Sequence, residues 1–139
     1  MLCLDTNIVI FAMNKRKPWI GERLREELKS GASSILIPTF VLFELVYGIA
    51  KSANPIQSLA VLNAFLTVGF EHPEFDADDA REAGDIRAHL EKRGIPIGPY
   101  DYLIAAQARR RSAALVTLNR REFDRVPGLI VTDWGGAEG

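Results

Sequence analysis

Short apolar runs alternate along the chain with longer segments in which apolar residues recur every three or four positions. A short run bounded by turn residues is typical of a buried strand, and the wider spacing is typical of a helix with one buried face. The sequence predicts strands at 1–5, 34–38, 113–117 and 129–132, with a further strand and turn at 68–75. It predicts helices at 8–13, 19–29, 39–51, 56–66, 76–92 and 102–111, and a short helix at 118–123. This alternation favours an α/β fold with a central, mainly parallel β-sheet flanked by helices on both faces.

One acidic residue interrupts the most apolar of these helices. Residues 39–48 read Thr-Phe-Val-Leu-Phe-Glu-Leu-Val-Tyr-Gly, and Glu44 carries the only charge among them. An ionised carboxylate is costly to bury unless it is paired, hydrogen-bonded or bound to a metal. From this segment alone two interpretations stand side by side. Glu44 either reaches water or an arginine at the edge of the helix, or it belongs to a functional site.

Composition narrows the class of protein. The chain has 139 residues, 47% of them hydrophobic, and a formal net charge of −1, which is typical of one globular domain without a chain-wide basic field. We predict a single domain over 1–134 and a frayed tail over 135–139. No apolar run is long enough to span a membrane, the start has no basic segment typical of a signal peptide, and Cys3 has no cysteine to pair with. These features predict a cytoplasmic protein.

Acidic and amide side chains fall where the predicted strands end. Asp5 closes the first strand, Glu44 lies just beyond the second, and Asn119 follows the strand at 113–117, while Asp101 begins a helix after a Gly-Pro loop. Ligands of open parallel sheets bind at this edge. Several carboxylates in apolar surroundings repel one another unless a cation lies between them, and oxygen ligands with open positions suit Mg²⁺ and phosphate chemistry. The absence of a His/Cys cluster argues against zinc.

Four segments carry a more specific signal. Residues 4–7 (LDTN), 43–48 (FELVYG), 97–106 (IGPYDYLIAA) and 116–123 (VTLNRREF) resemble, in order and spacing, the four motifs of PIN-domain ribonucleases. More narrowly, the chain resembles the VapC toxins of bacterial type II (VapBC) toxin–antitoxin modules. Any one of these motifs would be weak evidence, but the four together extend the resemblance over essentially the whole chain.

The resemblance implies a PIN-domain fold and a metal-dependent endoribonuclease that hydrolyses phosphodiester bonds in RNA. Asp5, Glu44 and Asp101 match the acidic residues of the family. Asp5 and Asp101 are expected to bind Mg²⁺, with Mn²⁺ as a substitute, and Glu44 is expected either to bind the ion or to hold the attacking water. Asn119 stands where many relatives carry a fourth acid, so the resemblance does not decide whether the site binds one metal ion or two.

Other residues have both a functional and a structural interpretation. Thr6 and Thr117 would orient the metal ligands through hydrogen bonds, or they are a helix cap and a strand-end residue. Arg120 and Arg121 would contact the RNA backbone beside the site, or they are solvated. The same alternatives apply to the arginines at 109–111, where compensation of a helix dipole is the structural interpretation.

The resemblance also implies partners and leaves rival functions. The expected partners are a VapB-like antitoxin, an RNA substrate (a transfer RNA, with the initiator as one candidate) and a second copy of the chain, in a homodimer and a toxin–antitoxin hetero-oligomer. Cleavage of such an RNA would inhibit translation and growth. The rivals are an RNA-binding or scaffold module with weak or no catalysis, and a structure-specific DNA nuclease.

Overall fold

Four parallel strands and seven helices make up the part of the chain that the structure, a computed structural model, describes, residues 1–135. The predicted α/β fold with a mainly parallel sheet is confirmed. The elements follow in the order β1 Leu2–Leu4, α1 Thr6–Asn14, α2 Pro18–Ser30, β2 Ile35–Leu36, α3 Thr39–Ala50, α4 Pro55–Leu66, α5 Ala77–Lys92, α6 Pro99–Arg110, β3 Ala114–Val116, α7 Arg120–Phe123 and β4 Ile130–Thr132. The tail predicted at 135–139 lies, apart from Gly135, outside the described residues. No helix within residues 1–135 has the length and apolar character needed to cross a bilayer.

The sheet places β1 at its centre. The strand order is β2-β1-β3-β4, so the chain leaves β1 for β2 on one side and later returns to β3 on the other. Leu2 pairs with Ile35 of β2 and with Ala114 of β3. Cys3, Leu4 and Leu115 are fully buried, as expected of strands covered on both faces. The order of strands reverses between β1 and β3, and ligands of such sheets bind at that point.

The prediction of a strand at 68–75 is wrong. The structure has only an isolated parallel bridge between Glu71 and Leu36 at the outer edge of β2. Gly69, with φ of +110°, turns the chain just before the bridge, and Pro73 follows it without a backbone donor. Pairing therefore stops after the single residue Glu71.

Helix α6 begins three residues earlier than predicted, and this moves Asp101 into its first turn. Pro99 opens the helix, because the fixed backbone of proline suits the first helical position and its missing N–H has no partner there in any case. Asp76 caps α5 as the sequence predicts. Its side chain accepts from the N–H of Asp79, and the Asp79 side chain accepts from the N–H of Asp76 in return.

Candidate active site

Polar side chains meet at the carboxyl ends of the two central strands. Asp5 directly follows β1, Asn119 lies three residues beyond β3, Glu44 projects from α3 and Asp101 from the first turn of α6. All four line one pocket of about 180 Å³, together with Thr6. The structure therefore brings together residues that are far apart in the sequence.

Asp5 is the most buried of these four polar residues, with 7% of its surface exposed. It is the N-cap of α1, and its Oδ1 accepts the N–H of Ile8 at 3.1 Å. Its Oδ2 accepts a hydrogen bond from the hydroxyl of Thr117. Burial raises the pKa of the Asp5 carboxyl to about 6 despite these hydrogen bonds, and the charge of Glu44 adds to the rise. The carboxylate is thus held in place but poorly compensated in charge.

Glu44 is hydrogen-bonded to Thr6. Its Oε1 accepts from the Thr6 hydroxyl at 2.9 Å, and the side chain is half-buried. Within residues 1–135 no lysine, arginine or histidine forms a salt bridge with it. The interpretation in which Glu44 pairs with an arginine is therefore wrong, and the carboxylate faces the pocket with Asp5 and Asp101.

Asp101 lies against the backbone of Gly98. A Cβ atom at Gly98 would lie only 2.8 Å from Oδ2 of Asp101. Any residue other than glycine at position 98 would therefore force the Asp101 carboxylate to move. Burial first, and then the negative charges of Glu122, Glu44 and Asp5, raise the pKa of the Asp101 carboxyl to about 6. No hydrogen bond from the described residues compensates that charge.

The structure adds Glu122, which the sequence interpretation missed as a member of the site. The side-chain amide of Asn119 donates to Glu122 Oε2 at 3.0 Å, and Glu122 is the foremost of the charges that raise the pKa of Asp101. The backbone N–H of Asn119 donates to Thr117 Oγ1 at 2.9 Å, so Thr117 connects Asn119 to Asp5. The spacing of Asn119 and Glu122, about one helical turn, permits this contact, but nothing in the sequence indicates that the charge of Glu122 acts on Asp101.

The donor set of the pocket suits a hard cation. Among the described residues, no three Asp, Glu, His or Cys side chains are already arranged as a ligand set for a metal ion. Asp5, Glu44 and Asp101 nevertheless line one pocket. Besides burial, the negative charge of Glu44 contributes to the raised pKa values of the Asp5 and Asp101 carboxyls. Their donors are all oxygen atoms, as Mg²⁺ prefers.

The arginines at the end of α6 are occupied by acids of α5. Arg110 and Arg111 both donate to Asp79, at 2.7 and 3.0 Å. Arg109 donates to Glu82 at 2.9 Å and to the carbonyl of Pro127. These contacts support a structural role for the three arginines and argue against the RNA-binding interpretation.

The arginines of α7 lie closer to the site. Arg120 is half-buried, and its Nε lies 3.5 Å from the Asp124 carboxylate. Arg121 is exposed and forms no salt bridge within residues 1–135. A role of either residue in binding RNA stays a prediction.

Ionisation of Asp5 should destabilise the metal-free protein. Its pKa is about 6 in the folded protein against an ordinary value of 3.8, so the folded state binds the proton more tightly. In chelator, the free energy of unfolding of the wild type should therefore fall, relative to Asp5→Asn, as the pH rises from about 4 to about 6. The full difference is about 3 kcal/mol. Urea titrations of both proteins across this range measure it, and parallel pH profiles would contradict it.

Comparison with known proteins places these residues in a family. The PIN domain family model matches residues 2–129. A protein of Salmonella typhimurium named tRNA(fMet)-specific endonuclease VapC is 42% identical over 131 residues, which cover 94% of this chain and 96% of that relative. Ribonuclease VapC2 of Rickettsia felis is 40% identical over the same shares of the two chains.

Solved structures give the same result. VapBC2 from Rickettsia felis, bound to a DNA fragment from its promoter, matches with a TM-score of 0.87 and 37% identity over 94% of this chain and 96% of that chain. DNA-bound VapBC from Salmonella typhimurium matches with a TM-score of 0.84 and 42% identity over 96% of this chain and 99% of that chain.

Proposed function

Because the chain belongs to the PIN-domain family and, within it, to the VapC ribonucleases, we propose that it is a metal-dependent endoribonuclease. It would be the toxin of a VapBC-type toxin–antitoxin system. The observation that supports this most directly is the gathering of Asp5, Glu44 and Asp101 in one pocket at the ends of the central strands. The raised pKa values of the Asp5 and Asp101 carboxyls indicate negative charge that a bound cation would neutralise.

The roles of the residues follow from their positions. Asp5 and Asp101 would hold Mg²⁺, or Mn²⁺ in its place, and Glu44 would bind the ion or hold the attacking water. Bound there, such an ion supplies a nucleophilic water and neutralises charge on the phosphate. Thr117 and Thr6 keep Asp5 and Glu44 in place through their hydroxyl groups.

Asn119 and Glu122 share the task that a fourth acid performs in many relatives. The Asn119 amide is itself neutral and cannot act as a base, but it holds Glu122 through a hydrogen bond, and the negative charge of Glu122 acts on Asp101. Glu122 therefore adds negative charge that Asn119 lacks. Hydrolysis at this site would leave a 5′-phosphate and a 3′-hydroxyl.

The substrate and partners are proposed from the relatives. The name of the Salmonella relative specifies initiator transfer RNA, so we propose a transfer RNA as the substrate, with the initiator as the first to be tested. The solved relatives are VapBC complexes, and a VapB-like antitoxin would form a hetero-oligomer with a homodimer of this chain. Cleavage in the cytoplasm would stop translation and growth.

Incubation of the antitoxin-free protein with total RNA tests the proposal. We expect discrete RNA fragments with Mg²⁺ and none when a chelator is present, because the carboxylates alone cannot stabilise a negatively charged transition state. Sequencing of the fragment ends identifies the RNA and the bond that is cut. Binding of RNA without cleavage would instead favour the RNA-binding or scaffold function, and cleavage confined to branched DNA would favour the structure-specific DNA nuclease.

A further inference from the structure

An aromatic cleft opens beside the acidic pocket. It has a volume of about 480 Å³, and Phe43, Tyr47, Lys51 and Tyr100 are among the residues that line it. Phe43, Tyr47 and Lys51 follow one another at four-residue intervals on one face of α3 and at its end. Phe43, Tyr47 and Tyr100 expose 52%, 59% and 44% of their surfaces. Such large exposed aromatic surfaces in one place mark a binding site more often than chance.

The cleft and the acidic pocket share a wall. Thr6 and Glu44 line both cavities, and the hydrogen bond between them forms that boundary. A ligand bound in the cleft would therefore lie next to a phosphate bound in the acidic pocket.

Aromatic rings cluster along the cleft, with the planes of Phe43 and Tyr100 tilted by 60° to each other. The Tyr100 ring lies 5.5 Å from the Phe43 ring, measured between centroids, and Phe40 stacks behind Tyr100 at 6.5 Å. The Lys51 ammonium lies 4.5 Å from the centroid of the Tyr47 ring. The cleft thus offers aromatic faces together with a cation, the combination that proteins use to stack bases and hold the backbone of single-stranded nucleic acid.

Gly48 keeps the cleft open. It lies inside α3, where glycine weakens a helix relative to alanine. A Cβ atom at this position would meet no heavy atom within 4 Å, so packing does not require the glycine. Gly48 lines the cleft, and any larger side chain there would extend into it.

We propose that this cleft binds an unstacked base of single-stranded RNA, next to the phosphate that the acidic pocket cleaves. The proposal rests on the proposed ribonuclease function. The positive charge of Lys51 and the continuity with the acidic pocket favour a nucleotide over an apolar side chain of a protein partner. The cleft would therefore decide which nucleotide position the enzyme accepts beside the scissile bond, and it would require that base to be unpaired.

Binding of RNA by the inactive Asp5→Asn protein tests the cleft without cleavage. The probe is a set of short single-stranded oligoribonucleotides, each with one abasic position. We expect one abasic position to weaken binding about tenfold, and Tyr47→Ala to weaken binding of the intact RNA by a similar factor. In the Tyr47→Ala protein the same abasic position should have no further effect. Tyr47→Phe should bind like the parent, because it keeps the ring.

A matched pair of glycine variants separates filling of the cleft from changes in the helix. Gly48→Leu should weaken RNA binding about tenfold, while Gly84→Leu should leave it unchanged. Gly84 is also a helix-interior glycine, in α5, and a Cβ atom there also meets nothing within 4 Å. Lys51→Ala should lower the salt dependence of binding by about 0.7 of a logarithmic unit per decade, the value for one phosphate contact on a single strand.

The outcomes distinguish failure of the cleft from failure of the enzyme. If wild-type protein cleaves RNA but Tyr47→Ala and Gly48→Leu bind and cleave it with unchanged KM and kcat, the cleft proposal is overturned and the proposed function stands. If these variants lose affinity only for a protein partner, the cleft is a protein-docking site and the proposal is likewise overturned. If wild-type protein cleaves no RNA, the abasic series still decides whether a base occupies the cleft.

Discussion

Asp5→Asn is expected to abolish RNA cleavage while leaving the protein at least as stable as the wild type. Asparagine keeps the size of the side chain and is also a good N-cap, so α1 should still begin at residue 6. The variant removes a buried negative charge that burial and Glu44 make unfavourable. Cleavage should fall by at least about a hundredfold, because loss of a direct metal ligand costs more than the 10–100-fold typical of residues that only support one.

Single-turnover cleavage of the RNA whose cut site has been mapped measures the loss of activity. Urea unfolding at pH 7.5 in chelator measures the free energy of unfolding. Asp85→Asn is the matched control, because Asp85 is exposed on α5 and far in the chain from every residue of the pocket. The control should cleave like the wild type. Full activity of Asp5→Asn would contradict the metal-dependent site, and loss of activity that accompanies unfolding would show only that Asp5 is structural.

Much of the fold was predictable because it depends on short-range patterns. The spacing of apolar residues predicted the seven helices and all four strands found within residues 1–135, and in addition a fifth strand that is not formed. The four motifs predicted the PIN-domain family and the VapC branch, both of which are confirmed. The failed strand at 68–75 shows the limit of such patterns. Its apolar residues resemble a strand, but Gly69 and Pro73 allow only one residue to pair with β2.

The candidate site was predictable only in part, because some of its charges act through tertiary contacts. Asp5, Glu44 and Asp101 stood out since each interrupts an apolar segment. Glu122 did not, because it lies among arginines and reads as their counter-charge. Only the fold shows that Asn119 donates a hydrogen bond to Glu122 and that the charge of Glu122 acts on Asp101. The metal-binding role of these residues stays a prediction that the variants above test.

Two segments of opposite charge, an acidic one at 71–85 and a basic one at 109–125, also show that the sequence alone does not reveal tertiary contacts. The sequence shows an acidic segment and a basic segment, and it leaves open whether the basic one binds RNA. In the structure the arginines at 109–111 pair with acids of the first segment at the contact between α5 and α6, where Asp79 bonds to Arg110 and Arg111 across more than 30 residues of chain. Arg120, by contrast, pairs with Asp124 within its own segment. Periodicity along a single helix contains no information about such a partner.

Asp79→Asn is expected to be among the most destabilising conservative substitutions in the chain. The Asp79 side chain is fully buried and accepts hydrogen bonds from Arg110, Arg111 and the backbone N–H of Asp76. Burial alone would raise its pKa, but these hydrogen bonds outweigh burial and hold the pKa at about 2. Removal of the negative charge leaves Arg111 without its acidic partner, whereas Arg110 still pairs with Asp76. Because both arginine side chains are partly exposed, we expect a loss near the lower end of the about 3–5 kcal/mol that breaking a fully buried ion pair costs.

Urea unfolding at pH 7 measures this loss, with Asp78→Asn as the control. Asp78 is the neighbouring residue of α5, but its side chain is 67% exposed and pairs with Arg81 at the surface, so its substitution should change the free energy of unfolding by less than about 0.5 kcal/mol. Because the ionised form of Asp79 stabilises the fold, the difference between wild type and Asp79→Asn should shrink as the pH falls from about 4 toward 2. At a temperature where Asp79→Asn remains folded, its rate of RNA cleavage should equal that of the wild type. Equal stability of the two variants would contradict the structural role of the Asp79 ion pairs. A changed RNA affinity of folded Asp79→Asn would instead support the RNA-binding interpretation of Arg110 and Arg111.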